Sequence, residues 1–194
     1  MGERLLVING HPDPRPERLC AALAGAYGNG AATAGRIVRR IDVGELDFPL
    51  IRTADEFENG AVPPDIKKAQ DAVREADHVA IVHPLWLGEQ PALLKAFMEQ
   101  VFRYGFALQK PGAHGWTGML KGKSARIIVT MGMPGPVYRL VFGAHGVRGV
   151  ERSVLWLSGF KPVRHTFFGG VGSASERQRS AWLDHVRALG ARGE

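Results

Sequence analysis

An imidazole and two guanidinium groups follow the first apolar run of this chain. His11, Arg15 and Arg18 lie in a proline-rich segment between the run 5–8 and a stretch of small and apolar residues from 19 to 27. That stretch predicts a helix, and the first backbone N–H groups and the dipole of a helix attract anions. Together these groups suit a phosphate. The segment equally fits a proline-stiffened turn with solvated arginines, and both interpretations stay open.

A second segment places apolar side chains in a loop. It follows the continuous apolar run 79–82 and begins Pro84, Leu85, Trp86, Leu87 and Gly88. Loops lie at the surface and rarely carry two leucines and a tryptophan together with prolines. Apolar side chains and backbone amides at one place suit a planar heterocycle. A subunit-contact patch and a plug for the core are the alternatives for this segment.

A third segment begins at the end of the apolar run 125–130 and reads Thr130, Met131, Gly132 and Met133. Gly132 allows the backbone to approach a ligand closely because it has no side chain. Thr130 offers a hydroxyl donor. Each of the three segments therefore carries ligand-binding groups directly after an apolar run.

The apolar runs and the stretches between them predict alternating strands and helices. Strands are expected at 5–8, 37–42, 79–82, 125–130 and 163–168, and helices at 19–27, 66–76, 92–102, 137–144, 152–157 and 176–189. Asp65 is expected to cap the second helix, and prolines make 47–64 an irregular surface excursion. This alternation predicts a doubly wound α/β fold with a parallel sheet. The three segments would then lie at the carboxyl ends of strands, where open parallel sheets bind ligands.

Length and composition fit one globular domain spanning residues 1–194. Hydrophobic residues make up 45% and charged residues 23% of the chain, and the net charge is +6. The basic residues are scattered without interleaved aromatic residues, which argues against nucleic-acid binding. The first apolar run is far too short for a signal peptide or a membrane span, and a single cysteine, Cys20, fits a reducing compartment. A cytoplasmic protein without membrane insertion is therefore expected.

Motifs of several other protein classes are missing from the sequence. No G-x-G-x-x-G follows the first strand and no G-x-S-x-G elbow occurs, which argues against a Rossmann dehydrogenase and an α/β-hydrolase. The seven histidines have neither H-E-x-x-H nor C-x-x-C spacing around them. No metal site is therefore expected.

Taken together, the motifs resemble those of the flavodoxin-like NAD(P)H:quinone reductase family, which includes DT-diaphorase and the potassium-efflux ancillary flavoproteins. The matching pieces run over almost the entire chain, at 10–12, 42–49, 84–85, 91–95, 101–106, 120–123 and 130–138. The resemblance implies a flavodoxin-like sheet of five parallel strands in the order 2-1-3-4-5, with helices on both faces. It also implies a bound flavin, FMN or FAD, that NAD(P)H reduces and a quinone or similar acceptor reoxidises in a ping-pong mechanism.

The same resemblance assigns cofactor-binding roles to the three segments. His11 and the stretch from Arg15 to Arg18 would hold the flavin phosphates. The residues 84–88 would flank the flavin ring, and the residues 130–133 would hydrogen-bond its polar edge. Because this chain has Arg-Pro-Glu-Arg at 15–18 where relatives place Ser or Thr, an aromatic residue and Asn, its phosphate contacts must differ from theirs.

Tyr138 and His145 match the tyrosine and the histidine that stand beside the flavin in this family, with one extra residue between them. They are therefore the catalytic candidates. Hydride arriving at the flavin leaves negative charge near N1 and O2 of the ring, which a phenol and an imidazole can stabilise by hydrogen bonding or proton transfer. Without the resemblance, His145 is interpreted as a surface histidine and Tyr138 as a core side chain near a helix start.

The helix expected at 92–102 is apolar around most of its circumference and needs cover on two sides. The resemblance implies a C2 homodimer with sites near the interface, in which this helix packs on the partner subunit. The rival interpretation is a binding module without catalysis, either an electron-carrier flavodoxin or a regulatory flavoprotein docked on an ion-efflux system. Electron carriers have a hydroxyl-rich first loop and an acidic surface, which this chain lacks, whereas the regulatory alternative stays open.

Overall fold

Five parallel strands form the central sheet in a computed structural model that describes residues 3–112 and 115–194. In chain order the strands are β1 (Arg4–Asn9), β2 (Ile37–Asp42), β3 (His78–Pro84), β4 (Leu108–Gly112), β5 (Gly115–Gly118), β6 (Ser124–Thr130) and β7 (Val163–Phe168). β4 and β5 form a separate antiparallel hairpin, and the other five strands follow the order β2-β1-β3-β6-β7. Counted among the sheet strands alone, this is the predicted order 2-1-3-4-5.

Helices connect these strands and lie on both sides of the sheet. They are α1 (Leu19–Thr33), α2 (Ala54–Asn59), α3 (Pro64–Glu75), α4 (Ala92–Val101), α5 (Gly135–Leu140), α6 (His145–Gly149) and α7 (Glu176–Arg192). A 3-10 turn at Val43–Glu45 and a π-helix at Val150–Trp156 complete the helical structure of the described residues.

The alternation of side chains along β1 shows which helices cover each face. Leu5 and Val7 pack with α1 and α7, whereas Leu6 and Ile8 pack with α3, α4 and the π-helix. β3 is buried at every position, as expected for a central strand covered on both faces. The core therefore consists of two apolar layers separated by the sheet, and the predicted doubly wound flavodoxin-like fold is confirmed.

Two glycines allow α1 and α7 to approach each other closely. A Cβ atom at Gly30 would lie 2.0 Å from the carbonyl oxygen of Arg187, and one at Gly190 would lie 2.0 Å from the carbonyl oxygen of Tyr27. No side chain fits at either place without a backbone shift. The two helices are therefore packed backbone against backbone.

The excursion between β2 and α3 covers the second side of α4. Phe48 packs edge to face on Phe97 of α4, with ring centroids 6.1 Å apart, and Gln100 donates a hydrogen bond to the carbonyl oxygen of Pro49 at 2.7 Å. Lys95 and Glu99 form an ion pair on the side of this helix that stays exposed. The expectation that α4 needs a partner subunit for cover is therefore wrong, because the same chain covers it.

A buried arginine holds this excursion in place. The guanidinium group of Arg103, which is 4% exposed, donates to the carbonyl oxygens of Glu56, Gly60 and Ala61 at 3.0–3.1 Å. Carbonyl oxygens of an irregular segment need such donors when they are shielded from water. Arg103 thus connects the end of α4 to the last turn of α2 and the stretch that follows it.

Three local predictions differ from the structure. Helix α3 begins at Pro64, so Asp65 lies in its first turn and does not cap it, because a proline at the first position has no N–H that needs a partner. Strands β4 and β5 pair as a hairpin that the sequence pattern does not indicate. The helix expected at 137–144 ends at Leu140, and Gly143 and Ala144 adopt left-handed conformations before α6 begins.

Within residues 3–112 and 115–194, no helix has the length and apolarity needed to cross a membrane. The same residues contain no group of three or more His, Cys, Asp or Glu side chains arranged to hold a metal ion.

Candidate active site

The three ligand-binding segments predicted from the sequence meet at the carboxyl edge of the sheet. They follow β1, β3 and β6, which are neighbours in the sheet. The backbone N–H of Gly10 donates to the carbonyl oxygen of Val82 at 2.7 Å, and that of Leu85 donates to the carbonyl oxygen of Thr130 at 2.8 Å. Hydrogen bonds between neighbouring strands thus join the starts of the three segments.

His11 links the first segment to the second. Its imidazole lies edge to face against the indole of Trp86, with ring centroids 5.9 Å apart. Its Nδ1 accepts a hydrogen bond from the backbone N–H of Asp13 at 3.0 Å. Burial and the charge of Arg18 lower the pKa of His11. The ring is therefore neutral near pH 7 and carries its proton on Nε2.

Asp13 holds both arginines of the first segment. Arg15 donates from Nε and Nη2 to the Asp13 carboxylate at 2.9 and 2.7 Å, and Arg18 donates from Nε at 2.7 Å. The hydrogen bonds from Arg15 and Arg18 hold the pKa of Asp13 well below its usual range. Asp13 is thus ionised and occupies a place where both guanidinium groups meet an anion. The sequence contains the signal for this contact, an aspartate two and five residues before the arginines.

Helix α1 starts directly behind these arginines. Its N-cap residue is Arg18, no side chain caps it, and its first turn contains no acidic residue. The N–H groups of the first turn of a helix have no partner within the helix and favour an anion. A phosphate that approaches this helix start would meet Arg15 and Arg18 in competition with Asp13.

The second segment forms a tight turn that projects from the sheet edge. Trp86 and Glu89 exchange two backbone hydrogen bonds of 2.9 and 3.0 Å. Leu87 and Gly88 between them have φ values of 51° and 84°, which is typical of a type I′ turn. Leu87 is fully exposed at the tip, and Trp86 is 50% exposed beside it. The turn therefore presents an indole and an isobutyl group at the carboxyl edge.

Tyr138 supports this turn from below. It is 1% exposed, and its hydroxyl donates to the carbonyl oxygen of Gly88 at 3.1 Å. Burial raises the pKa of Tyr138, and the backbone N–H groups of Val147 and Gly146, at the start of α6, partly offset this rise. A Cβ atom at Gly146 would lie 2.4 Å from the Gly88 carbonyl oxygen. The contact between α6 and the turn therefore needs a glycine at position 146, which the sequence does not mark.

His145 occupies the first position of α6 and is exposed. Its ring lies over Gly143, where a Cβ atom would be 2.8 Å from Nε2. The residue therefore stands next to Gly146, on which the Tyr138 contact depends, but its imidazole is on the outside of the molecule while the phenol is inside. The two catalytic candidates thus belong to one local structure and differ in exposure.

The third segment exposes fewer of its groups at the surface than the sequence suggests. The Thr130 hydroxyl lies 3.3 Å from Sγ of Cys20 in α1, and Thr130 is 5% exposed. The backbone N–H of Met131 is used by the carbonyl oxygen of Phe168 at 2.9 Å. Strand alternation thus turns the Thr130 hydroxyl toward α1, and its contact with a ligand stays a prediction. Gly132 and Met133 are the residues of this segment that reach the surface.

The site fits a ligand with a phosphate and a planar ring. The helix start and the arginine pair are suited to the phosphate, and the turn at 86–89 with His11 is suited to the ring. In the part of the chain that the structure describes, His83 Nε2 and Gln90 Oε1 are buried without a hydrogen-bond partner. These two polar atoms flank the 84–89 loop. A flavin is compatible with this set of groups.

Comparisons with known proteins agree with the fold. The family model described as flavodoxin-like fold matches residues 3–189. A human protein named ribosyldihydronicotinamide dehydrogenase [quinone] is 31% identical in an alignment of 151 residues, and the match covers 72% of this chain and 63% of that protein. This chain thus spans less than two thirds of that relative.

Two solved structures share the fold at low identity. The NAD(P)H:quinone oxidoreductase from Methanothermobacter marburgensis superposes with a TM-score of 0.82 at 20% identity, covering 100% of both chains. An FMN-dependent NADH-azoreductase from Bacillus anthracis in complex with FMN has a TM-score of 0.76 at 15% identity, covering 98% of both chains.

Proposed function

Because this chain belongs to the flavodoxin-like fold family, we propose that it is a flavin-dependent NAD(P)H:quinone oxidoreductase, with residues 1–194 forming one flavin-binding domain. The observation that carries the proposal is the meeting of an uncapped helix start, an arginine pair and an aromatic turn at one edge of the sheet. The human relative is named as a quinone dehydrogenase, and the Methanothermobacter structure is named as an NAD(P)H:quinone oxidoreductase. NAD(P)H and the acceptor would use the same surface in turn, which is a ping-pong mechanism.

The cofactor-binding residues would contact different parts of the flavin. Arg15, Arg18 and the first N–H groups of α1 would hold a flavin phosphate, with His11 next to them. The apolar stretch from Pro84 through Leu85 to the turn at 86–89 would flank the ring. Backbone groups of Gly132 and Met133 would face its polar edge, because Thr130 and Met131 are engaged inside the fold. A bound flavin, FMN or FAD, would supply the ring that accepts and donates the hydride.

Tyr138 and His145 would stabilise the negative charge that develops at the polar edge of the ring, by hydrogen bonding or proton transfer. Since its pKa is raised, Tyr138 keeps its proton at neutral pH and acts as a hydrogen-bond donor. In the structure it donates to Gly88 and so holds the turn in position. His145 is exposed, so its imidazole can exchange protons with solvent.

A C2 homodimer and a cytoplasmic location are further parts of the proposal. Leu87, Leu140, Val141 and Phe142 are 49–107% exposed around the candidate site. Apolar side chains grouped at a surface favour a subunit contact. Sedimentation velocity of the flavin-loaded chain should show a dimer, and Leu140→Ser with Val141→Ser should give monomers. A monomeric flavin-loaded wild type would contradict the dimer. The cytoplasmic location is favoured by the single, buried cysteine.

The deciding experiment is reconstitution with FMN or FAD followed by anaerobic addition of NADPH or NADH. The flavin absorption band at ~450 nm should bleach and should recover when a quinone is added. Tyr138→Phe and His145→Ala should each slow the bleaching by about 100–1,000-fold, the range expected for loss of one hydrogen-bond or proton donor. Retention of neither flavin, or a bound flavin that both nucleotides fail to reduce, would reject the enzyme in favour of a regulatory protein.

A further inference from the structure

Two cavities lie along the exposed side of the edge strand β7. The upper cavity, of about 480 Å³, has Arg139, His165 and Phe167 among its walls, and the lower cavity, of about 410 Å³, has Trp156 and Val163 among its walls. Val163, His165 and Phe167 alternate along the strand and therefore lie on the same face. From Val163 to Phe167 the strand spans about 13 Å at the usual rise per residue. We call this surface the β7 groove.

The upper end of the β7 groove adjoins the candidate active site. Phe167 packs edge to face on Tyr138 with ring centroids 5.7 Å apart, and His165 follows Phe167 at 4.9 Å. Gly135 and Pro136, which also line the upper cavity, come directly after the third ligand-binding segment. A ligand whose reactive end lies at the active site could therefore extend into the groove.

The groove is basic along its length. Arg139 lines the upper part, and Arg152 and Lys161 line the lower part, where Glu151 is the acidic side chain. Within residues 3–112 and 115–194, the side chains of these three cations form no ion pair and no hydrogen bond. Their charges stay available to a ligand. Burial lowers the pKa of His165, and the charges of arginines around it, Arg139 among them, lower it further against the effect of Glu151. The groove is therefore suited to an anion with charges at separated positions.

An aromatic surface lies at the far end. Trp156 is 61% exposed at the end of the π-helix and lies in the lower cavity with Arg152 and Lys161. π-Helical segments occur frequently at functional sites. An exposed aromatic ring can stack a nucleobase, and two cations beside the ring can hold a phosphate. The lower end therefore combines the groups that recognise a phosphorylated nucleoside.

We infer that the β7 groove binds the adenosine 2′-phosphate half of NADPH, with the adenine on Trp156 and the 2′-phosphate between Arg152 and Lys161. Arg139, nearer the active site, would meet the pyrophosphate, which NADH also carries. The inference rests on the proposed function and adds a preference for NADPH over NADH. It assigns a role to groove residues that lie outside the three segments at the carboxyl edge.

The first test is direct binding without catalysis. Adenosine 2′,5′-bisphosphate is titrated into the purified chain, with and without flavin, by calorimetry and by tryptophan fluorescence. The wild type should bind, and the double variant Arg152→Gln, Lys161→Gln should bind at least about tenfold more weakly, since it removes the charged hydrogen-bond donors to the phosphate. Trp156→Phe should remove the fluorescence change. Arg177→Gln with Arg187→Gln, on α7 across the sheet, is the control of equal charge and should bind as the wild type does.

The second test compares the use of NADPH with that of NADH. In the flavin-loaded enzyme, the Arg152→Gln, Lys161→Gln variant should raise the KM for NADPH about tenfold or more and change that for NADH less than about twofold, whereas Arg139→Gln should raise both. Wild-type affinity of the double variant for the bisphosphate, or equal binding of ADP and the 2′,5′-bisphosphate, would overturn the inference. Failure of the proposed function would appear differently, as a flavin that neither nucleotide reduces while the binding results stand.

Discussion

At the scale of single residues, the contact that most affects ligand binding is the one between Asp13 and its two arginines. The carboxylate receives hydrogen bonds from Arg15 and Arg18 beside the start of α1. It therefore lowers the positive charge that a flavin phosphate would meet. Asp13→Asn should tighten binding of FMN roughly fivefold, because it removes one negative charge near the phosphate and leaves both arginines.

The measurement is a titration of the flavin-free chain with FMN, monitored by quenching of flavin fluorescence at low ionic strength. Asp184→Asn is a matched control, because Asp184 also pairs with an arginine, Arg187, on the exposed side of α7. The control should leave the affinity unchanged. Weaker binding by Asp13→Asn would mean that the carboxylate positions the arginines for the phosphate and does not compete with it.

At the scale of the elements, the close contact of α1 with α7 depends on glycine. Gly30→Ala would bring a methyl group to 2.0 Å from the Arg187 carbonyl oxygen, so the helices must separate. We expect a loss of about 1–3 kcal/mol in the free energy of unfolding, as for other overpacked contacts.

Gly25→Ala is the same substitution in the same helix, but we expect it to increase stability. The nearest atom to a Cβ at Gly25 is the Arg40 guanidinium at 3.7 Å, so the methyl group is tolerated. It should raise the free energy of unfolding by up to about 1 kcal/mol through helix propensity. Urea denaturation of both variants tests the pair, and equal effects of the two substitutions would contradict the packing described for α1 and α7.

At the scale of the whole molecule, buried histidines make folding sensitive to acid. His78 lies inside between Tyr27 and Ser124, at 2.9 and 2.7 Å, and burial together with Arg126, Arg164 and Arg36 lowers its pKa to about 4. The unfolded chain binds the proton near pH 6.5. Stability is therefore lost as the pH falls from about 6.5 toward 4, and this histidine alone accounts for about 2 kcal/mol by pH 5. Burial lowers the pKa of His83 to about 4 as well, so it acts in the same direction.

The free energy of unfolding at pH 7 and pH 5 tests this expectation. His78→Asn should be less stable than the wild type at pH 7 but should lose about 2 kcal/mol less on acidification. His185→Asn, which replaces an exposed histidine of α7, should keep the wild-type dependence. A wild-type and a His78→Asn curve that run parallel between the two pH values would show that His78 does not control acid stability.

Local patterns in the sequence were sufficient for the five strands of the parallel sheet and for the position of the ligand-binding segments. The run 79–82 predicts the central strand β3 because four consecutive apolar residues need cover on both faces. The segments after β1, β3 and β6 follow from chain order, since parallel strands end at one edge. Tyr138 and His145 came from a resemblance, and pattern alone offered only a core residue and a surface residue for them.

The tertiary structure alone decided which groups face one another. The alternation along β6 is visible in the sequence, but only the fold shows that Thr130 faces Cys20 of α1. The contact of Tyr138 with Gly88 and the cover of α4 by Phe48 join residues about fifty positions apart. The sequence by itself thus determined the elements and the edge at which they present chemistry, because these depend on near neighbours along the chain. The contacts within the site and along the β7 groove depend on distant residues, and only packing brings those together.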